Sequence, residues 1–142
     1  MPISTMTARR SLEFDKLLEL RARDAAAISA TTSSTGVAFR ANAYDDFMVE
    51  IITATHTGYA AGTAQWSIQI EVSASLSSGY QPVGRAVIPD GTAQRHQVAV
   101  SGQSALMALN GTEPLFIRVT ATKTGSPGNL SYGAFVSDYK YD

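Results

Sequence analysis

The chain has 142 residues, a formal net charge of −1, no cysteine, 44% apolar and 16% charged residues. The missing cysteines exclude disulfides, thiol catalysis and cysteine-ligated zinc, and near-neutrality gives no electrostatic case for nucleic-acid binding. The length suits one hydrophobic core. A charge content below the roughly 25% of typical soluble domains leaves few like-charge repulsions between copies, so self-association is expected.

Residues 9–24 stand apart, with nine charged side chains in sixteen positions. Ser11 suits an N-cap, Glu13 and Asp15 suit a first turn, and Phe14, Leu17, Leu18, Ala22, Ala25 and Ile28 recur at helical spacing. This pattern predicts a helix over 11–24, supported by a Glu19–Arg23 pair one turn apart. The competing expectation is an extended arm laid over a neighbour, since so short a helix is marginal alone in water. Ala30-Thr31-Thr32-Ser33-Ser34-Thr35-Gly36 then reads as a flexible hinge. The expected organisation is an arm and hinge over 1–35 and a body over 36–142. No continuous apolar h-region predicts a signal peptide, and no apolar run approaches the length of a membrane-spanning helix.

Beyond the hinge the period becomes two. Val37, Phe39 and Ala41 alternate with polar or small neighbours, and Phe47, Val49 and Ile51 alternate with Met48, Glu50 and Ile52. Trp66, Ile68, Ile70, Val72, Ala74 and Leu76 form the clearest dry face, opposite Ser67, Gln69, Glu71, Ser73 and Ser75. Val83–Ile88, weakened by Pro82 and Gly84, predicts an edge strand. Asp90-Gly91 predicts a turn into His96, Val98 and Val100. A short apolar element over Ala105–Leu109 ends at Asn110-Gly111. Leu115, Ile117, Val119 and Ala121 predict another strand, and Leu130, Tyr132, Ala134 and Val136 the last. Seven or eight such strands with frequent turns point to an all-β fold, an antiparallel β-sandwich of jelly-roll or Greek-key type.

Catalytic signals are weak. The chain has two histidines, His56 and His96, and lacks HExxH, GxSxG, P-loop and GxGxxG patterns. Ser101 and Ser104 lie near His96, but serine is frequent throughout. Asp45, Asp46, Asp90, Asp138 and Asp142 lack the spacing of a calcium loop and suit turns and strand ends. Glu50 and Glu71 fall on outer faces of their strands, where they are solvated or paired across strands with Arg95 or Arg118. No catalytic residue, metal or cofactor is expected.

The contact signals are stronger. Met48 and Ile52 make one strand apolar on both sides, and Phe135, Tyr139 and Tyr141 do the same for the last. A doubly apolar strand in a one-core domain requires a cover or an assembly interface. The arm supplies Leu12, Phe14, Leu17 and Leu18 as buried area, and Arg9, Arg10, Arg21 and Arg23 as charges for an acidic surface. Tyr44, Tyr59, Tyr80, Tyr139 and Tyr141, at strand ends and loops, suit a protein interface or a sugar-binding face.

The segments Phe14-Asp15-Lys16-Leu17-Leu18-Glu19-Leu20-Arg21 and Asp24-Ala25-Ala26-Ala27-Ile28, the strand WSIQIEVSASL at 66–76 and the closing GNLSYGAFVSDYKYD at 128–142 resemble the capsid decoration (cement) proteins of tailed bacteriophages. That resemblance implies a non-enzymatic sandwich or jelly roll, commonly a homotrimer, that binds the major capsid protein on the outside of the virion and is made in the host cytoplasm. The charged leader departs from a pure sandwich. The alternative expectation is a carbohydrate-binding sandwich module of a phage tail or host-attachment apparatus.

Overall fold

The computed structural model describes residues 18–39 and 46–137. Among them are nine strands and one short helix: β1 (Glu19–Arg21), β2 (Thr32–Ser33), β3 (Val37–Ala38), β4 (Phe47–Thr53), β5 (Gln65–Ser73), β6 (Gln81–Val87), β7 (Gln94–Val100), α1 (Gly102–Ala108), β8 (Phe116–Thr124) and β9 (Tyr132–Ser137). The first sheet has the order β1-β9-β4-β7, and the second β2-β8-β5-β6 with β3 also on β8. All pairings are antiparallel.

β2 and β3 pair with successive stretches of β8, Thr32 with Ala121 and Val37 with Ile117, so they are two halves of one interrupted strand. Counted that way, the chain changes sheet at every connection except the β5–β6 hairpin. The four hairpin pairs β1–β9, β2/β3–β8, β4–β7 and β5–β6 are rolled around one core. This is the jelly-roll connectivity, which places successive strands on opposite layers and leaves short edges.

The core lies between the sheets. Val49 and Ile51 of β4, Trp66, Ile68, Ile70 and Val72 of β5, and Ile117, Val119 and Ala121 of β8 are fully buried. Their period-two spacing turns one side of each strand inward, while Ser67, Gln69 and Glu71 take the other side. The indole Nε1 of Trp66 donates to the Gly128 carbonyl at 2.9 Å, so the one polar atom of the largest core side chain is satisfied. β6 is the edge of the second sheet, as Pro82 and Gly84 predict.

The main difference from expectation lies at residues 18–24. The helix predicted there is replaced by strand β1 on the edge of β9, with Glu19 opposite Phe135 and Arg21 opposite Ala134. Leu20, 5% exposed, enters the core between Glu19 and Arg21, so its side chain obeys a period of two. The Glu19–Arg23 helical pair therefore does not form. An isolated helix of this length gains little in water, whereas the β9 edge offers a ready row of backbone partners. The expected hinge also contains β2, and Ser33 Oγ lies 2.8 Å from Thr120 Oγ1.

One smaller departure has a local cause. The dry face of β5 stops at Val72, and Leu76 is 51% exposed, because the chain turns after Ser73. The Ser73 hydroxyl accepts from Ser75 N and donates to the Ser78 carbonyl, drawing residues 74–78 away from the sheet. The apolar element near Ala105 is helix α1, N-capped by Ser101, whose Oγ accepts from Ser104 N at 3.0 Å. Asn110 and Gly111 end it with φ of 56° and 85°, and Gly111 N donates to the Leu106 carbonyl.

These placements make β1 an integral part of the core. Leu20→Ala is expected to lower unfolding free energy by about 2–5 kcal/mol, and Trp66→Ala by about 3–5 kcal/mol, in urea denaturation. A near-neutral Leu20→Ala would mean that β1 contributes nothing to the core.

Candidate functional site

β4 lies between β9 and β7, and its outward side chains form three cross-strand rows. Met48 is opposite Ser137 and Ala99, Glu50 is opposite Phe135 and Gln97, and Ile52 is opposite Gly133 and Arg95. This face points away from the core, yet it is not bare. Glu50 is 1% exposed and Phe135 9%, while Met48 and Ile52 are half-buried.

A carboxylate at that depth costs several kcal/mol unless it is compensated. Glu50 has compensation on both oxygens: Arg95 Nε donates to Oε1 at 2.8 Å and Gln97 Nε2 donates to Oε2 at 2.9 Å. Arg95 itself is 55% exposed, so the pair joins a closed carboxylate to an open guanidinium. Arg95 and Gln97 sit two apart on β7, on the same side as Glu50.

The chain leaving β1 crosses over β9 at Gly133. A Cβ there would stand 2.5 Å from Arg23 Cγ and 2.9 Å from Arg23 Cα, so only glycine lets residue 23 lie flat on the sheet. Arg23 is thereby set at the same level as Ile52 and Arg95. A groove of about 470 Å³ opens here, lined by Arg23, Ile52, Gln94, Arg95, Ser131 and Tyr132 among others. Tyr132 forms part of its wall. Burial pushes its phenol up to about 12, against the opposing pull of the Arg21 guanidinium. That guanidinium lies 4.5 Å over the Tyr132 ring, donates to the Tyr132 and Ala26 carbonyls, and ties the turn after β1 to β9.

The other sheet presents a different outward surface. Arg118 Nε bonds Glu71 Oε1 at 2.7 Å, Thr120 Oγ1 donates to the same oxygen, and Arg118 stacks 3.9 Å from the Tyr80 ring centre. Ser67, Gln69 and Thr122 continue this polar layer. Both cross-strand pairings expected of Glu50 and Glu71 are thus present, but Glu50 is buried where solvation was the other possibility.

The histidines are near the same end of the sandwich. His96 pairs with Ile51 and so faces inward, and burial holds its imidazole below the ordinary value. Among the described residues nothing hydrogen-bonds to His96 Nε2 or to either ring nitrogen of His56. The Asp90 carboxylate accepts from the Thr92 hydroxyl and backbone N–H and from Gln94 Nε2. The Thr92 bonds lower its pKa most, partly opposed by desolvation. Gly91 in that turn is obligatory, because a Cβ would stand 2.4 Å from the His56 carbonyl oxygen. No group of three or more His, Asp or Glu side chains is arranged to hold a metal among the described residues.

Of the contact residues expected from sequence, Met48, Ile52 and Phe135 come together on one face. Leu18 packs half-buried against the core, and Arg21 is engaged within the chain. Arg9, Arg10, Leu12, Phe14, Leu17, Tyr44, Tyr139 and Tyr141 lie outside the described residues, as do Asp45, Asp138 and Asp142. Sequence reasoning did not find the groove or the role of Gln97. The available signal was a lone acid within FMVEIIT and an Arg-x-Gln spacing in β7, but the register joining them is visible only in three dimensions. No family model matches the chain, and no curated protein matches it in sequence.

Removing Arg95 leaves the Glu50 charge with a single partner. Arg95→Ala is expected to cost about 1.5–3 kcal/mol in urea unfolding, the worth of a hydrogen bond to a charged group. Replacing both members by leucine should recover most of that loss, since a buried pair is roughly exchangeable for apolar packing. His96 adds a pH dependence. Its folded pKa is lowered, so the unfolded chain binds more protons and stability falls as pH drops below about 6.5. His96→Phe should flatten that part of the stability–pH curve; an unchanged curve would remove His96 as its source.

Proposed function

We propose that this chain is a non-enzymatic structural protein that oligomerises and braces the outside of a viral capsid. The observation that carries this reading is the outward face of β4, where half-buried Met48 and Ile52 flank the Glu50–Arg95 pair and leave the Arg95 guanidinium open. Partly exposed Met and Ile beside an exposed Arg, around one neutralised charge, have the composition of a contact surface. The polar outer layer of the second sheet gives the molecule a wet side and a contact side.

Support comes also from the decoration-protein resemblance and from the jelly-roll fold, an architecture used by viral capsid domains and by lectins. A brace needs a rigid body and a broad surface, both of which a closed double sheet supplies. Joining three weak contacts in a trimer raises avidity by roughly 10²–10⁴ when spacing matches the lattice. The leader upstream of β1, with Arg9, Arg10, Leu12, Phe14 and Leu17, then extends the grip beyond the face.

Met48→Asp or Ile52→Asp is expected to shift the assembly toward monomer in sedimentation equilibrium and to abolish co-sedimentation with capsid shells, with the circular dichroism of the body retained. Unchanged mass and shell retention would contradict the reading. Deletion of 1–17, which spares β1, should leave the body folded and reduce shell retention at least tenfold; equal retention would remove the leader from the grip.

A further inference from the structure

We infer that the groove beside Ile52 is a carboxylate-binding site, with Arg23 and Arg95 as its two cationic walls and an acidic side chain of a partner polypeptide as its ligand. The inference rests on the capsid-bracing reading in one respect: it takes the shell protein as the source of that acidic residue.

The placement of the two arginines is built into the fold. Gly133, Ile52 and Arg95 occupy one cross-strand row, and Arg23 lies directly on Gly133. Two strand spacings, about 10 Å, thus separate the backbones from which the guanidinium groups start, a distance two long side chains bridge around one anion. Arg95 is held by its Nε on Glu50, lines the groove, and has no bond at its terminal nitrogens among the described residues. Arg23 is exposed, and no hydrogen bond or ion pair reaches its guanidinium among the described residues.

Among the described residues, none that lines the groove is an acid, and Arg95 alone of the two arginines has a carboxylate partner, Glu50. Glu50, one cross-strand row along the same face, has both oxygens already engaged. An arginine pair with one anchored member matches the forked recognition of a carboxylate. The remaining lining distinguishes a side chain from a free ion. Ile52, Ala54 and Ala93 give the lining apolar surface suited to methylene groups, and Gln94 and Ser131 add polar side chains. At about 470 Å³ the space far exceeds one carboxylate and accommodates a glutamate with its flanking backbone. The groove opens at the start of β7, the edge strand of the sheet, where among the described residues an extended partner segment meets no further strand of the first sheet.

The test titrates the full chain by calorimetry, at low salt, with a capped Glu-containing pentapeptide, its Gln counterpart and glucuronic acid. The Glu peptide is expected to bind, with the Gln peptide at least tenfold weaker. Arg23→Ala, which keeps the backbone contact on Gly133 and leaves the Glu50 pair intact, should weaken the Glu peptide at least tenfold, and Arg23→Lys should restore part of the loss. Equal binding of Glu and Gln peptides, absence of Glu-peptide binding, or an Arg23→Ala variant that binds like the parent would overturn the site. Glucuronic acid binding as tightly as the Glu peptide would overturn the polypeptide assignment. Shell co-sedimentation separates this from the function itself. Shell retention without Glu-peptide binding refutes the groove alone, and Arg23-dependent peptide binding without shell retention refutes the shell as its source.

Discussion

The closed carboxylate of Glu50 constrains everything on the outward side of the first sheet. Its strand, β4, is buried on both faces: Phe47, Val49 and Ile51 fill the jelly-roll core, and Glu50 is shut off on the reverse. A charge can stay there only while Arg95 and Gln97 remain opposite it, which locks β4 and β7 in one register. A slip of one residue would turn Glu50 toward Trp66 and Ile68 and expose the core set to solvent. The ion pair therefore contributes more to specificity than to net stability. It also orients Arg95, and through Arg95 the groove and the face around it.

The charged leader has a structural role at its end. Its last residues are the first strand of the fold. β1 covers the β9 edge, inserts Leu20 into the core and, through Arg21, fastens the following turn to Tyr132. That turn brings Arg23 over Gly133. One short segment closes the sheet, completes the core and supplies half of the cationic groove. Glu19 and Arg21, two of the charged residues that make it look foreign to a sandwich, stand on either side of the inward Leu20.

The long strands were legible because burial on one side imposes a period of two, as Trp66 to Val72 and Ile117 to Ala121 show. The edge character of β6 followed from Pro82, which has no N–H for a ladder, and from Gly84. β1 was not legible. In a segment where Phe14, Leu17, Leu18 and Ala22 satisfy helical spacing, local pattern favours helix, and the backbone partners that override it come from β9, more than a hundred residues away in the chain. The same limit hid the candidate site. Met48, Ile52 and Phe135 were readable as apolar residues on the wrong side of their strands. Arg95 was readable as a cross-strand partner of a glutamate, whereas Arg23 and Gln97 gain meaning only through cross-strand register and through the one glycine over which the chain folds back.

The central claim is that the outward face of β4, β7 and β9 is a contact surface between this chain and a shell. Amide hydrogen exchange on the full chain, free and shell-bound, tests it most directly. The account predicts slowed exchange over residues 48–52, 94–99 and 133–137 on binding, with the polar face of β5 and β8 unchanged. Protection confined to the second sheet, or none on either face, would contradict it.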